Sequence, residues 1–351
     1  MGEPKLIRLN SWDVKRKLAT VFDISNKILL WFTFIRTQIS DAELDEITRQ
    51  AMTELPRFGE RMLMGYIVSQ GLKIQRRRIR ASIRRVDPVG LIERRQLLAR
   101  RITRRAYSVP HPHYMWHIDG NHKLIRWGFV IHAAVDGHSR CMLFLRCNNN
   151  NRSETVLQLF QGAMALFQTE PKKIRTDCGT ENVGVWEAMT EQNQTANGPV
   201  VLVGSSVHNQ RVERFNREIN RNIRDKYAAI FYQLEHRGLL NVDNVYDKLA
   251  LHYVYKPRIN IALTALANSH NNHPIRTEAN HTPNQILALN GFHTPTLVSH
   301  DDTRQLFEDD VLSAEYCEHL MANVPPFTKD DDHGCTVYEA VREFIHLYAD
   351  T

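Results

Sequence analysis

The stretch from Tyr114 to Val203 changes its hydrophobic period in an order that few folds accommodate. Residues 115–119 read as a short strand. Residues 127–135 form a long apolar run with β-branched members, and Asp136-Gly137 is a hairpin-type turn. Residues 141–146 read as a third strand. Residues 153–168 then carry Val156, Leu157, Leu159, Phe160, Ala163, Met164 and Phe167 at helical spacing. A fourth strand spans 173–176, a helix follows Asn182, and a fifth strand lies near 200–203. A polar loop, 204–208, leads into a long helix starting near Asn209. Three antiparallel strands followed by helix–strand–helix–strand–helix specify an α/β domain with a mixed sheet.

The sequence before it has a different texture. Residues 1–39 are mixed, with a short helix expected over 26–37 and no assignable role. Ser40 is a natural N-cap, with Asp41, Glu43 and Glu46 near the positive helix end. Leu44, Ile47, Met52 and Leu55 keep a helical period until Pro56. A second helix fits 59–70, with Met62, Leu63, Tyr66 and Ile67 as its apolar stripe and Gly71 closing it. A third fits 75–86, Ile79 and Ile83 facing inward and Arg76, Arg77, Arg80 and Arg84 lying on the exposed side. Three helices with a glycine-containing turn before a basic third one resemble a helix-turn-helix, whose arginines would bind guanine edges or phosphates. A basic helical packing module has the same pattern. Pro88, Pro110 and Pro112 bracket a basic connector.

Charge sharpens the division. The 351 residues hold 45 Lys and Arg against 39 Asp and Glu, a net +6. Residues 300–351 contain 13 acids and three bases, so the remainder carries +16. Between Gln75 and Arg105 twelve arginines (76, 77, 78, 80, 84, 85, 94, 95, 100, 101, 104, 105) face two acids, Asp87 and Glu93. Such a stretch attracts a polyanion, usually nucleic acid; a solvated helix face or a nuclear-import signal fits the composition equally. No run approaches the ~18 apolar residues of a membrane span, and the N-terminus shows no signal peptide. Five scattered cysteines, never spaced CxxC, fit a reducing compartment without a structural zinc site or a disulfide framework.

Three acids stand at the ends of the expected elements. Asp119 closes the first strand, Asp177 follows the fourth, and Glu213 lies one turn into the long helix, with 35 residues between the last two. Carboxylates converging from two strands and a helix suit two hard divalent ions, Mg²⁺ or Mn²⁺. Two such ions serve in-line displacement at phosphorus. Taken singly, Asp119 also reads as a strand-end cap, Asp177 as a turn residue before Gly179, and Glu213 as a helix-surface partner of Arg217. Asp136 sits at a hairpin. Glu218 is five residues too far on to replace Glu213. His117, His122 and His208 lie near these blocks without an assigned role.

The blocks WHIDGNHKL, VDGHSR, IRTDCGTEN and SSVHNQRVERFNRE, in that order, resemble the catalytic core of retroviral and retrotransposon integrases. The resemblance covers about 112–290 and implies a ribonuclease-H-like fold, a mixed five-stranded sheet flanked by helices. It implies catalytic and metal-binding roles for Asp119, Asp177 and Glu213, with Gln210-Arg211-Val212-Glu213 matching the family's third block, and a non-catalytic role for Asp136. It also implies homo-oligomers. No cysteine precedes Cys141, so the zinc module of retroviral relatives is absent and the helix-turn-helix candidate stands in its place. Arg214, Arg217, Arg221 and Arg224 fall within roughly 20–100° of Glu213 on the helical wheel and edge the site, placed to grip DNA phosphates or simply to face water. The segment 256–287 resembles the region after the core in transposon-derived integrases.

The expected organisation is therefore 1–39 without assigned role, 40–88 helix-turn-helix-like, 89–111 a basic linker, 112–290 the core and its following helices, and 291–351 an acidic region. The expected function is DNA integration by a transposon-derived integrase-like protein, with DNA as partner, no membrane and no small-molecule substrate, in the nucleus. The competing expectations are a domesticated DNA-binding protein without catalysis, a hydrolytic nuclease of the same fold, and a protein-interaction factor working through the acidic end.

Overall fold

A computed structural model describes residues 37–97, 108–192, 198–204, 210–298, 314–328 and 332–349. Outside the described residues lie the helix expected at 26–37 (all but Thr37), Arg100, Arg101, Arg104 and Arg105, the side chains of Arg94 and Arg95, His208 with the loop around it, and the acids of 300–313.

Five strands form one mixed sheet in the order β3-β2-β1-β4-β5. They are β1 (Met115–Leu124), β2 (Phe129–Asp136), β3 (Met142–Asn148), β4 (Lys173–Thr176) and β5 (Val201–Val203). The first three pair antiparallel, and β4 and β5 add on in parallel. The N-terminal helices are α1 (Asp41–Glu54), α2 (Glu60–Ser69), α3 (Arg76–Val86) and α4 (Pro88–Leu97); α5 (Ser153–Phe167) and α6 (Val183–Gln192) follow between strands. After β5 come α7 (Gln210–Ile219), a π-helical turn (Asn220–Arg224), α8 (Asp225–His236), α9 (Val245–Asn271), α10 (Pro283–Leu289), α11 (Ala314–Asn323) and α12 (Cys335–Ala349). This is the mixed five-stranded sheet flanked by helices that the resemblance implies, with a helical region ahead of it.

Alternation along β1 sorts its side chains to two faces. Trp116 and Ile118 join Phe144, Phe160, Phe167 and Ile174 in a core beneath α5 and α6. On the opposite face Phe129, Ile131 and Val135 meet Phe215, Ile219, Phe231 and Tyr255. This second core does not stop at the sheet. It continues without a break into Leu44, Leu63, Ile79 and Ile83 of the N-terminal helices and Tyr338 and Ile345 of α12.

The N-terminal helices form where the sequence indicates. Ser40 and Glu43 exchange hydrogen bonds as a capping box at the start of α1, and Gly71 takes φ +77° just past α2. Residues 70–75 connect α2 to α3, longer than the three or four residues usual in a helix-turn-helix. Nor do these helices stand apart. α2 crosses α9 so closely that a Cβ on Gly65 would lie 2.0 Å from the Ser269 carbonyl oxygen. The Arg57 amide donates to Asn222 Oδ1 at 3.2 Å, and Lys226 Nζ donates to the Thr53 carbonyl at 3.0 Å.

Helix α9 closes the free edge of β3. Asn271 accepts from the Met142 amide at 2.7 Å and donates to its carbonyl at 3.0 Å; Asn260 does the same for Cys147 at 2.7 and 3.1 Å. Three helical turns separate the two asparagines, about the rise between the two strand residues. Side-chain amides thus replace the missing strand and blunt an edge open to aggregation.

Three expectations are corrected. β1 does not end at Asp119 but runs to Leu124, because Asn121 is satisfied by partners distant in sequence. The long helix is interrupted by the π turn at Asn220–Arg224. The region 291–351, expected only as acidic, contributes core helices: its described residues include Leu320, Tyr338, Val341 and Ile345, all buried. Asp247 on α9, almost fully buried, accepts from Arg342 Nε and His346 Nε2 of α12, both at 2.7 Å, and from the Asn241 amide at 2.9 Å.

Candidate active site

β1 and β4 pair Met115 with Lys173, Trp116 with Ile174 and His117 with Arg175. The same register carried two residues on sets Asp177 level with Asp119. Equal parity on neighbouring parallel strands sends both side chains to one face, the face covered by α7. Glu213 lies in the first turn of α7, where the helix dipole favours a carboxylate.

Asp119 lies within the field of the other two carboxylates. It is 9% exposed. Burial, then the charges of Glu213 and Asp177, push its carboxyl up to about 7. Two hydrogen bonds oppose the shift, one from Asn216 Nδ2 at 2.7 Å and one from the Gly120 backbone. Asp177 is held differently: its Oδ1 accepts from Asn182 Nδ2 at 3.0 Å and from the Gly179 amide at 3.3 Å. The Glu181 carboxylate folds back over Gly179, so a Cβ there would sit 2.3 Å from it and displace that side chain.

The asparagines are the residues that sequence reasoning missed. Asn216 donates to Asp119, and its own Oδ1 accepts from Asn121 Nδ2 at 3.3 Å. Asn121 Nδ2 also reaches Asn220 Oδ1 at 3.1 Å. This chain of amides ties β1 to α7 and to the π turn. Its one sequence signal is a polar residue three positions after Glu213, on the buried side of an amphipathic helix.

The remaining candidates are placed as follows. Asp136 is buried at the hairpin, accepting from the His113 amide at 2.7 Å, the Ser139 amide at 2.7 Å and the Ser139 hydroxyl at 2.6 Å, a turn-holding role. Glu218 lies 4.0 Å from Arg221. His117 is buried on the Asp119 face, and the His122 ring folds against Gly120. Arg214 and Arg217 are exposed on α7, Arg221 is half-buried, and Arg224 pairs with Asp225 at 3.1 Å. On α3, Arg76 and Arg80 both pair with Glu60, Arg77 donates to Gln75 Oε1 at 2.7 Å, and Arg84 is exposed. Arg78 and Arg85 are occupied by Asp41 and Asp45.

The trio's donors are all carboxylate oxygen, the set a hard dication prefers, and the repulsion that raises Asp119 is what such a charge would cancel. The trio is not drawn tight: among the described residues no group of three or more His, Cys, Asp or Glu is assembled closely enough to hold a metal ion.

An integrase core domain model matches residues 106–297, more than half of the chain. No curated protein matches. The chain is similar to the HTLV-2 integrase catalytic core domain in complex with magnesium. The trimeric form is 22% identical and covers 50% of this chain and 97% of that one, with a TM-score of 0.32. The dimeric form is 22% identical and covers 51% and 98%, at 0.31. It is also similar to a chain of the simian T-cell lymphotropic virus intasome in complex with PP2A regulatory subunit B56 gamma. That match is 14% identical and covers 72% of this chain and 75% of that one, at 0.39.

Proposed function

The chain belongs to the integrase core domain family, and on that footing we propose that it is a DNA recombinase that cuts phosphodiester bonds and transfers strands. The observation that carries the reading is geometric: the β1–β4 register sets Asp177 level with Asp119 on the face covered by α7, whose first turn bears Glu213, and the raised Asp119 carboxyl agrees with that proximity.

Asp119, Asp177 and Glu213 are the residues that would hold Mg²⁺ or Mn²⁺, two ions in the complete site. When bound, the ions supply activation of the attacking oxygen and neutralisation of charge on the leaving oxygen. The chain's own groups do the rest. Asn216 and Asn182 orient Asp119 and Asp177. Arg214, Arg217, Arg221 and Arg224 line the approach to the phosphate, and the α3 surface with Arg77 and Arg84 extends the basic footprint. In the first reaction water cleaves one phosphodiester near a DNA end and leaves a 3′-hydroxyl. In the second, that hydroxyl's oxygen bonds to a target phosphorus, and the target's own 3′-oxygen leaves with the proton. Joining two DNA ends calls for more than one copy of the chain, hence a homo-oligomer. A chromosomal substrate puts the protein in the nucleus; no described helix is long and apolar enough to cross a membrane.

A second reading is a DNA-binding protein whose chemistry has lapsed; among the described residues no three His, Cys, Asp or Glu side chains are gathered as a metal site. Labelled end-mimicking duplex incubated with Mn²⁺ separates them. Products longer than the substrate indicate strand transfer, and shorter products alone indicate a hydrolytic nuclease. A wild type as inert as Asp177→Asn, while still binding DNA, sinks the enzymatic reading.

A further inference from the structure

A second cluster of charge sits on the other flank of α7. At the end of α9 the rings of His270 and His273 lie 4.8 Å apart. Three other elements converge on them. α7 brings the Phe215 ring to 4.9 Å from His270, with Arg214 beside it in the chain and exposed to solvent. The β2–β3 turn supplies the Arg140 carbonyl, which accepts from His270 Nε2 at 2.9 Å, and the Gly137 carbonyl, which accepts from Arg211 Nε at 3.1 Å. α2 crosses at Gly65, where a Cβ would lie 3.0 Å from the His273 amide nitrogen. Arg61, one turn before Gly65 on the same face, therefore stands over His273.

The charge of this cluster is not answered from within. Glu278 is taken by Arg140, and Glu60 by Arg76 and Arg80. Arg61 and Arg214 make no ion pair among the described residues. Their field is felt locally. The His273 imidazole is held below its usual range by burial and by Arg61, Arg214 and Arg140, against the hydrogen bond to the His270 carbonyl. Since Nδ1 is committed to that carbonyl, Nε2 is the atom left to take up a proton and donate outward. Cations gathered from three elements around a half-buried imidazole make a place where an anion relieves repulsion.

We propose that Arg61, Arg214 and His273 form a phosphate clamp at the junction of α2, α7 and the end of α9, and that its ligand is a backbone phosphate of the DNA substrate. This rests on the recombinase reading for the identity of the DNA, not for the affinity. The clamp gives the N-terminal helices a direct hold on DNA bound across α7. It is a charge contact without base reading, so it strengthens binding to every sequence alike.

The test is binding of a fluorescent duplex by the full chain across a salt series. Arg61→Gln is expected to weaken binding several-fold at low salt and to lower the slope of log affinity against log salt by about one unit. Arg61→Lys, which keeps the charge, is expected to restore the slope and controls for folding. The histidine ring proton of His273 is expected to titrate at higher pH once duplex is added. An Arg61→Gln protein with unchanged affinity and slope overturns the clamp, whatever its cleavage activity. Inorganic phosphate that moves His273 as far as saturating duplex does, with duplex affinity unchanged in Arg61→Gln, reassigns the ligand to free phosphate and overturns the DNA contact. A wild type that binds with the full salt slope yet yields no cleaved product removes the recombinase reading and leaves the clamp standing.

Discussion

The two faces of the sheet are built on different plans. Beneath α5 and α6 the core is local: Trp116 packs edge-on to Phe160 at 5.5 Å, and most of its members come from the stretch between β1 and α6. On the other face helices from both ends of the chain share one core with the strands. The candidate acids face the second side. A carboxylate site there is braced by parts of the chain that the sheet itself does not need, so the N-terminal helices and α12 are mechanically joined to it.

The sharpest break in this comparison is chemical. Asp177→Asn is expected to lower Mn²⁺-dependent product formation on labelled duplex by at least ~10²-fold, as loss of a group acting only in the transition state does. Phe160→Ala on the local face, scored by the same assay, should leave the per-folded-molecule rate within a few-fold. Equal losses in the two would mean that the faces are not functionally distinct.

Next come the cores themselves. Phe160→Ala is expected to cost about 3–5 kcal/mol and Ile79→Ala about 2–4 kcal/mol of unfolding free energy. If the second core is continuous, thermal unfolding of Ile79→Ala followed by calorimetry shows one transition displaced as a whole. Two transitions, the lower alone displaced, would restore α1–α3 as a separate module.

A smaller effect isolates the site's electrostatics. The Asp119 carboxyl is raised in the folded chain, so it binds a proton that the unfolded chain has already lost. Its stabilising contribution is full below about pH 4 and is lost as pH rises to about 7. Without divalent ions, Asp119→Asn should therefore gain stability over wild type at pH 8, by at most about 4 kcal/mol, and gain little at pH 4. Millimolar Mn²⁺ should raise the wild-type Tm at pH 8 and not that of Asp119→Asn. A Tm indifferent to Mn²⁺ would count against the trio as a cation site.

The smallest effect lies at the C-terminal brace. Asp247 is drawn below the usual carboxylate range by His346, the Asn241 amide and Arg342, against its burial. A depressed carboxylate stabilises above its unfolded pKa and loses that contribution as pH falls through its folded value. Arg342→Gln should thus cost about 1–3 kcal/mol at pH 7 and progressively less below pH 4, read from urea midpoints. A constant difference across that range would remove the ionic role of the brace.

Local signals were legible where a residue's neighbours in sequence are also its neighbours in space. The bounds of β4, Lys173–Thr176, coincide with the apolar pattern, and Ser40 caps α1 as its side chain requires. The order and spacing of Asp119, Asp177 and Glu213 along the chain marked them as candidates for one site before any coordinates. The end of β1 was not legible, because Gly120-Asn121-His122-Lys123 carries turn chemistry. Asn121 remains in the strand only because Asn216 and Asn220 complete its hydrogen bonds. Asn260 and Asn271 gave no hint of guarding β3, since the backbone groups they satisfy lie more than a hundred residues away. Arg76, Arg77, Arg80 and Arg84 of α3 all looked available; Glu60 had already claimed Arg76 and Arg80.

The amino-acid order by itself determined the strand and helix succession and the basic character of the first 299 residues, and it singled out three acids as candidates. These follow from periodicity, capping and side-chain chemistry, which act over a turn or two of chain. Only the tertiary structure decided that helices from both ends of the polypeptide merge on the acid-bearing face, that Asp119 is held by Asn216, and that the charges of Arg61 and Arg214 both reach His273. Burial, desolvation and the fields of distant charges depend on which surfaces come together, and no local pattern encodes that.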